Sequence, residues 1–389
     1  MFATMIESPV VYNKANPFLA SLTERYSLCQ SGSEKNVSHV ILSLKGSNIS
    51  YRVGDSVSVF AINDPEVVEN TIKYLQATGA ESVTCKHSGE VYTLRDYFTK
   101  KSNLADVPRK LIAEICQRQT NAEKKERLTY ILSEGQKEAL KEYQGAHEVW
   151  DALLENQEVL FSPQEFCHLL MPLLPRFYSI ASSQESVGEE VHLTVAELVY
   201  ETNGYTRRGV CTHYLCRLAP LHQHVIPIYV QASNEFTIPE DNAAAMIMVG
   251  PGTGVAPYRA FMQERLVRQA SGANWLFFGE WHRDQQFLYG DYWQELVEAG
   301  KLRLDTAFSR DQEHKIYVQH RMLEHGSELF SWLEQGAYFY VCGDAHRMAK
   351  DVDAALHQIV QVHGKCDEAS AKEYIKKLKA AKRYLRDVY

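Results

Sequence analysis

The feature that most constrains this chain is a change of period. From residue 243 onward, short apolar runs alternate with segments of helical period: AMIMV, YRAFMQERLVRQ, NWLFFGE, GDYWQELVEAG, LRLDTAF, YFYVCGD and MAKDVDAALHQIVQVHG. A strand that is apolar throughout has no face for solvent. Regular alternation with helices is how a parallel sheet covers both of its faces. The pattern predicts a doubly wound α/β domain over 241–389, with its boundary near NEFTIPEDNAAA, around Pro239.

Upstream the texture is different. Residues 1–95 read as β-rich: SHVILSLKGSNISYRVGDSVSVF alternates in period two, with turns at KGSN and VGD. Residues 105–172 carry helical periodicity and many charges. Strands then return at RFYSIASS, EVHLTVAELVY and HVIPIYVQA. The reading is a β-barrel domain over 1–240, interrupted by a helical insertion at about 100–172. A chain of 389 residues has room for both domains.

Composition narrows the functional classes. The formal charge is -8 and no basic cluster occurs, which argues against nucleic acid as a partner. Eight cysteines stand at 29, 85, 116, 167, 211, 216, 342 and 366, and no two form C-x-x-C. No metal site is therefore expected, and a reducing, cytoplasmic setting fits. No apolar run reaches the roughly 18 residues of a membrane span. The opening MFATMIESPVVYNKANPF reads as neither signal nor transit peptide.

The sharpest local motif is AMIMVGPGTGVAPYRAFMQER. A buried strand ends at Val249; Gly250, Gly252 and Gly254 follow, and Pro257 opens a helix. Glycines let backbone N–H groups approach a phosphate, and a helix start favours its charge. The plain alternative is a strand–turn–helix joint without a ligand. The spacing matches neither the usual dinucleotide fingerprint nor a P-loop. A second motif, AFSRDQEHKIYVQHRM, follows the predicted strand LRLDT. It sets Ser309 and Arg310 at a strand's carboxyl end, where α/β sheets bind ligands, with Lys315, Tyr317 and Gln319 just beyond. Alone these residues read as a solvated loop. After a glycine turn in the same domain they suit the 2′-phosphate of NADPH, with Tyr317 against adenine. In RFYSIASS, Arg176 and Tyr178 share one strand face, and GVCTHYL supplies Gly209 before a short helix. A flavin site and a core strand with a snorkelling arginine both fit those residues.

In order along the chain, YRVGDSVSVF, RFYSIASSQ, GVCTHYL, MVGPGTGVAPYRAFMQER, WLFFGE, AFSRDQ, KIYVQ, YVCGDAHRMAKDV and RYLRDVY carry a resemblance. The chain resembles the NADPH- and FAD-binding half of the diflavin reductases, most of all their sulfite reductase flavoproteins. The resemblance implies a ferredoxin-reductase-like fold: an FAD barrel, a helical connecting insertion and an NADP domain. It implies flavin contacts at Arg176, Phe177, Tyr178, Ser179, Thr194, Val195, Ala196 and Tyr200, with Gly209, Val210, Cys211 and Thr212 at the flavin pyrophosphate. Gly250, Gly252, Thr253 and Gly254 match the NADP pyrophosphate turn. Ser309, Arg310, Lys315, Ile316, Tyr317, Val318 and Gln319 match the 2′-phosphate and adenosine site, and Asp351 a further NADP contact. Ser179, Cys342 and Asp387 match the catalytic cluster, and Tyr389 the ring that covers the flavin and moves aside for nicotinamide.

The sequence departs from that family in two ways. No segment resembling its FMN-binding flavodoxin domain is present, so one FAD per chain and a separate electron acceptor are expected. The threonine that the family places near the flavin before the insertion has no match in YFTKKSN. The function implied is NADPH oxidation through FAD, with a sulfite reductase haemoprotein or a flavodoxin-like protein as acceptor. Alternatives are a ferredoxin- or flavodoxin-NADP reductase, and a non-catalytic FAD-binding subunit of a complex.

Overall fold

The structure, a computed structural model, describes residues 11–389 apart from His87 and Asn234. Most of the segment read as carrying no targeting signal, residues 1–10, lies outside the described residues. Packing divides the chain into two compact units. The first takes the chain up to Ser58, Phe177–Ala196 and Pro220–Tyr389; the second takes Val59–Arg176 and Glu197–Ala219.

The first unit holds two sheets. One has five strands in the order Arg303–Phe308, Asn274–Glu280, Met246–Val249, Tyr338–Gly343 and Tyr384–Val388. Every neighbouring pair is parallel. Alternate residues of one strand enter opposite cores, as the period of a strand requires. Met246, Met248, Leu276, Phe278 and Tyr340 pack with Tyr258, Phe261 and Trp293 on one face. Ile247, Val249, Trp275, Phe277 and Phe339 pack with Met322, Leu333, Leu356 and Ile375 on the other. The unbroken apolar runs thus do what their composition demands: they fill a layer covered twice.

The other sheet has six strands, ordered Arg176–Ser179, Ser56–Val59, His224–Gln231, Phe18–Ser27, Val37–Ser43 and Glu190–Ala196. Phe18–Ser27 runs antiparallel to both His224–Gln231 and Val37–Ser43, and Val37–Ser43 antiparallel to Glu190–Ala196. Register shifts at Ala20/Ser21 and Leu22/Glu24 bend the long strand. An antiparallel bridge joins Ile180 to Leu193, between the two strands at the ends of that order.

The second unit is mostly helical, with helices at Pro65–Tyr74, Leu94–Lys100, Arg109–Arg118, Ala122–Leu132, Lys137–Ala146, Val149–Glu155 and Pro163–Leu169. Their apolar stripes meet in a core that includes Phe98, Leu104, Leu111, Leu153 and Phe166. A hairpin, Val199–Thr202 with Tyr205–Arg208, carries Arg207, whose buried guanidinium bonds Glu148 at 3.1 Å and Asp151 at 2.8 Å.

Several elements differ from the sequence reading, among them helices Val318–Glu324 and Gly326–Glu334, which lie between two expected strands and were not anticipated. Helix Pro65–Tyr74 lies within the stretch read as β-rich. The Asp64 side chain accepts from the Glu66 N–H, and Pro65 sits in the first turn, so the helix start is written locally. Helix Glu368–Ala380, capped by Asp367, and strand Tyr384–Val388 were not anticipated. That strand is five residues long, and its pairing with Phe339–Gly343 is a long-range event with no local signal.

Candidate functional site

The glycine turn leaves Val249 and passes through a short 3-10 stretch, Gly252–Val255, into helix Ala256–Val267. A Cβ on Gly254 would lie 2.2 Å from the Cys342 carbonyl oxygen, and one on Gly250 would lie 2.5 Å from the Gly254 carbonyl oxygen. Only glycine permits these approaches. The turn is thereby pressed against the carboxyl end of the neighbouring strand Tyr338–Gly343.

Beside the turn, at the carboxyl ends of the parallel strands, opens a cleft of about 420 Å³. Gly252, Ser309, Tyr317, Val318, Gln319 and Asp351 line it, as do Lys35, Glu280, Trp281 and Arg347. The Ser309 and Arg310 N–H groups donate to the carbonyls of Glu280 and Trp281 at 2.8 and 2.9 Å, continuing the pairing of adjacent strands into the loop. Gln319 donates to Asp351 at 3.4 Å. Arg310 and Lys315 do not line the cleft: Lys315 is exposed, and the Arg310 guanidinium lies 3.5 Å from the centroid of Trp281. Val318 is buried in the core at the wall of the cleft, and Ile316 packs against the same core.

A second cluster forms where Tyr338–Gly343 pairs with Tyr384–Val388. The parallel register sets Cys342 beside Asp387. Ser179 donates to Asp387 Oδ2 at 2.6 Å, and the Cys342 thiol lies 3.8 Å from the same oxygen. Burial, and after it the Asp387 charge, pushes the Cys342 thiol well above its ordinary value, against the opposing Ser179 hydroxyl. Cys342 is therefore an S–H donor and not a thiolate nucleophile at neutral pH. Tyr389 is tied in three places. Its N–H donates to the Gly343 carbonyl at 3.1 Å, its carbonyl accepts from Ala345 at 3.0 Å, and its hydroxyl lies 3.0 Å from Thr253 Oγ1 on the glycine turn. The residue is nonetheless 61% exposed. The backbone and the hydroxyl are held while much of the residue stays open to solvent.

The remaining predicted positions separate by unit. In the first, Phe177 is exposed and makes an edge contact with Tyr229, Tyr178 is half-buried, Val195 is buried and Ala196 is exposed. The Thr194 hydroxyl lies 2.7 Å from Tyr289 Oη, within a buried chain that continues to His39 at 2.8 Å and to His192 at 3.1 Å. That side chain is engaged in packing. In the second unit, Arg176 and Tyr200 are exposed. Gly209 caps the four-residue helix Val210–His213, Cys211 is buried within it, and Thr212 Oγ1 donates to the Gly209 carbonyl at 3.1 Å.

These residues meet the test of fit for a dinucleotide. A cradle that a Cβ would fill, cationic and hydroxyl groups at strand ends, and a carboxylate with neutral donors occupy one side of one sheet.

The family model for the FAD binding domain matches residues 11–214, more than half of the chain. The chain belongs to the FAD binding domain family. An oxidoreductase NAD-binding domain matches residues 248–354 of this FAD binding domain protein. It is 41% identical over 381 residues to the sulfite reductase [NADPH] flavoprotein alpha-component of Bacillus subtilis, covering 97% of this chain and 62% of that protein. It is 42% identical over 383 residues to the same-named component of Vibrio cholerae, covering 97% and 60%. The chain thus spans about three fifths of the length of these relatives. The resemblance read from the motifs stands, and FAD and a nicotinamide dinucleotide are the cofactors of its two matched domains.

Sequence reading missed Trp281, Lys35 and Arg347 in the cleft. Trp281 follows a parallel strand directly, a position where ligands bind, and could have been found on that ground. Lys35 belongs to a turn 245 residues away from its partner Glu280, and nothing local marks it.

Proposed function

We propose that this chain oxidises NADPH and passes the electrons through FAD to a separate acceptor protein, a sulfite reductase haemoprotein. The observation that carries the reading is the joining of two features. The glycine turn and the Ser179–Cys342–Asp387 cluster meet through Gly254 against the Cys342 carbonyl and Thr253 against Tyr389. The acceptor is proposed from the relatives' names, which are sulfite reductase flavoproteins acting with NADPH.

FAD, when bound, would supply a two-electron acceptor for hydride and release electrons singly. The chain's own residues do the rest. Asp387 holds a negative charge where positive charge develops on the nicotinamide, an electrostatic contribution made before the reaction begins. Ser179 spends its hydroxyl proton on Asp387 and fixes the carboxylate's orientation. Cys342 keeps its proton and lines the same spot with a weak neutral donor. Tyr389 offers an open ring for stacking on the flavin and excludes water from it. Gly250, Gly252, Thr253 and Gly254 take the NADP pyrophosphate, and Ser309, Arg310 and Lys315 the 2′-phosphate. Tyr317 and the backbone of 316–319 take the adenosine, with Asp351 beside them. Phe177, Tyr178, Ser179, Thr194, Val195 and Ala196 are the proposed flavin contacts of the first unit, and Arg176, Tyr200 and 209–212 those of the second.

The domains are proposed as 1–240 for FAD, with the helical insertion at about 100–172, and 241–389 for NADP. The Ile180–Leu193 bridge supports reading the six-stranded sheet as a closed barrel. Eight free thiols support a cytoplasmic setting; among the described residues no helix is long and apolar enough to cross a membrane.

The test is spectroscopic. Purified protein should carry FAD at one per chain without FMN, and its visible absorption should bleach on anaerobic addition of NADPH. Recolouring by a sulfite reductase haemoprotein, but not by flavodoxin or ferredoxin, supports the proposed acceptor; the opposite order makes it a ferredoxin- or flavodoxin-NADP reductase. A flavin that NADPH leaves oxidised makes the chain a binding subunit.

A further inference from the structure

The ring of Trp281 has two cations against it. The Arg310 guanidinium carbon lies 3.5 Å from its centroid and the Lys35 ammonium 3.9 Å. Ring atoms hold other heavy atoms about 3.5 Å away. Each is also paired with a carboxylate: Arg310 Nη1 with Glu34 Oε2 at 3.1 Å, and Lys35 Nζ with Glu280 Oε2 at 2.9 Å. Glu34 and Lys35 are neighbours on the turn that joins Phe18–Ser27 to Val37–Ser43. One turn therefore brings a carboxylate to the guanidinium that the loop after Arg303–Phe308 presents.

We infer that Trp281 is a positioning residue for Arg310 and that Glu34 competes with the ligand's 2′-phosphate for the same guanidinium, so that the two together set the discrimination between phosphorylated and unphosphorylated adenosine ligands. The inference rests on reading Arg310 as the 2′-phosphate residue. Stacking fixes the plane of the guanidinium fork, and a fork presented in one plane takes two phosphate oxygens in parallel. Glu34 occupies one arm of that fork. A phosphate monoester, carrying about -1.5 to -2 charges at pH 7, displaces a single carboxylate. A ligand without that phosphate has no reason to displace it. Glu34 thus acts as a threshold that only the phosphorylated ligand crosses.

The test measures calorimetric affinity of the full chain for 2′,5′-ADP and for 5′-ADP. Glu34→Gln should bind 2′,5′-ADP roughly two- to fivefold more tightly, the scale of one exposed ion pair, and leave 5′-ADP unchanged. The gain should shrink in about 1 M salt, where the Debye length falls to about 3 Å. Trp281→Leu should weaken 2′,5′-ADP roughly two- to fivefold more than it weakens 5′-ADP, and Trp281→Phe should recover most of that difference. Unchanged 2′,5′-ADP affinity in Glu34→Gln, or equal shifts for both ligands in either Glu34→Gln or Trp281→Leu, overturns the inference. Arg310→Ala separates this failure from a deeper one. If it abolishes discrimination while Glu34→Gln is silent, Arg310 keeps its role and only the competition is wrong. If discrimination survives in Arg310→Ala, the 2′-phosphate assignment falls and the inference with it.

Discussion

The parallel sheet ends in two clusters of opposite character. Around Trp281 the charges are many, partly exposed and paired with one another: Arg310 with Glu34, Lys35 with Glu280. Around Asp387 a single carboxylate faces a hydroxyl at 2.6 Å and a fully buried thiol. Exposed pairs are screened and contribute little each, so the first cluster can tune which ligand binds but only in small steps. A half-buried carboxylate fixed by a hydroxyl and a thiol is held in place before the reaction begins, so the second can act on the reaction itself. One sheet edge thus separates choice of ligand from chemistry.

The largest expected effect breaks the second cluster alone. Asp387→Asn keeps the shape and removes the charge; anaerobic stopped-flow reduction by NADPH should slow roughly 100-fold, about 2.7 kcal/mol. Binding of 2′,5′-ADP should stay at the native value. Loss of both together would merge the clusters into one functional unit.

Arg310→Ala breaks the first cluster. A charge-assisted bond contributes roughly 1.5–3 kcal/mol, so the NADPH concentration needed for half-maximal rate should rise by about tenfold. Turnover with NADH should barely change, and equal losses with both coenzymes would move Arg310 out of the phosphate site.

A smaller effect is expected where the two clusters touch. Tyr389→Ala removes the ring that Thr253 holds, while leaving Asp387 two residues away. If nicotinamide and the ring compete for one flavin face, NADH turnover should rise a few-fold and product release should slow. Unchanged NADH turnover, affinity and flavin spectrum would remove Tyr389 from the site.

The smallest expected effect is an absence of titration. Because burial raises the Cys342 thiol well above 9.0, the reduction rate should show no inflection from it between pH 7 and 9. The sign for stability follows from linkage. Above pH 9 the unfolded chain releases this proton while the folded chain retains it, so stability falls as pH rises there. Native protein at pH 9 should resist iodoacetamide at Cys342, as peptide mapping would read. Rapid alkylation would mean that the thiol is reachable and the cluster open.

The glycine turn was legible in the sequence because every element of it is local: an apolar strand, three glycines and a helix start within about ten residues. The loop after Arg303–Phe308 was legible for the same reason. The clusters these segments join had no local signal: Ser179, Cys342 and Asp387 were grouped by resemblance alone, and Glu34 was not singled out. Asp387 meets Ser179 across 208 residues and Cys342 across 45, and Arg310 meets Glu34 across 276. Thr194 makes a contact of the same long-range kind: its hydroxyl lies 2.7 Å from Tyr289 Oη across 95 residues, on a segment whose arrival beside it no local pattern announces.

What this sequence determines by itself is whatever depends on neighbours within a few residues: alternation of strand and helix, caps such as Asp64, and turns that only glycine can make. These follow from backbone sterics and from periods of burial, which act over one or two turns of chain. What only the tertiary structure decides is which distant side chains share an atom's reach. Closing a longer loop costs little more entropy than closing a shorter one, so separation along the chain hardly predicts contact. Strand register does decide it. The pairing of Tyr384–Val388 with Phe339–Gly343 sets Asp387 beside Cys342, and a slip of one residue would turn its carboxylate to the other face of the sheet.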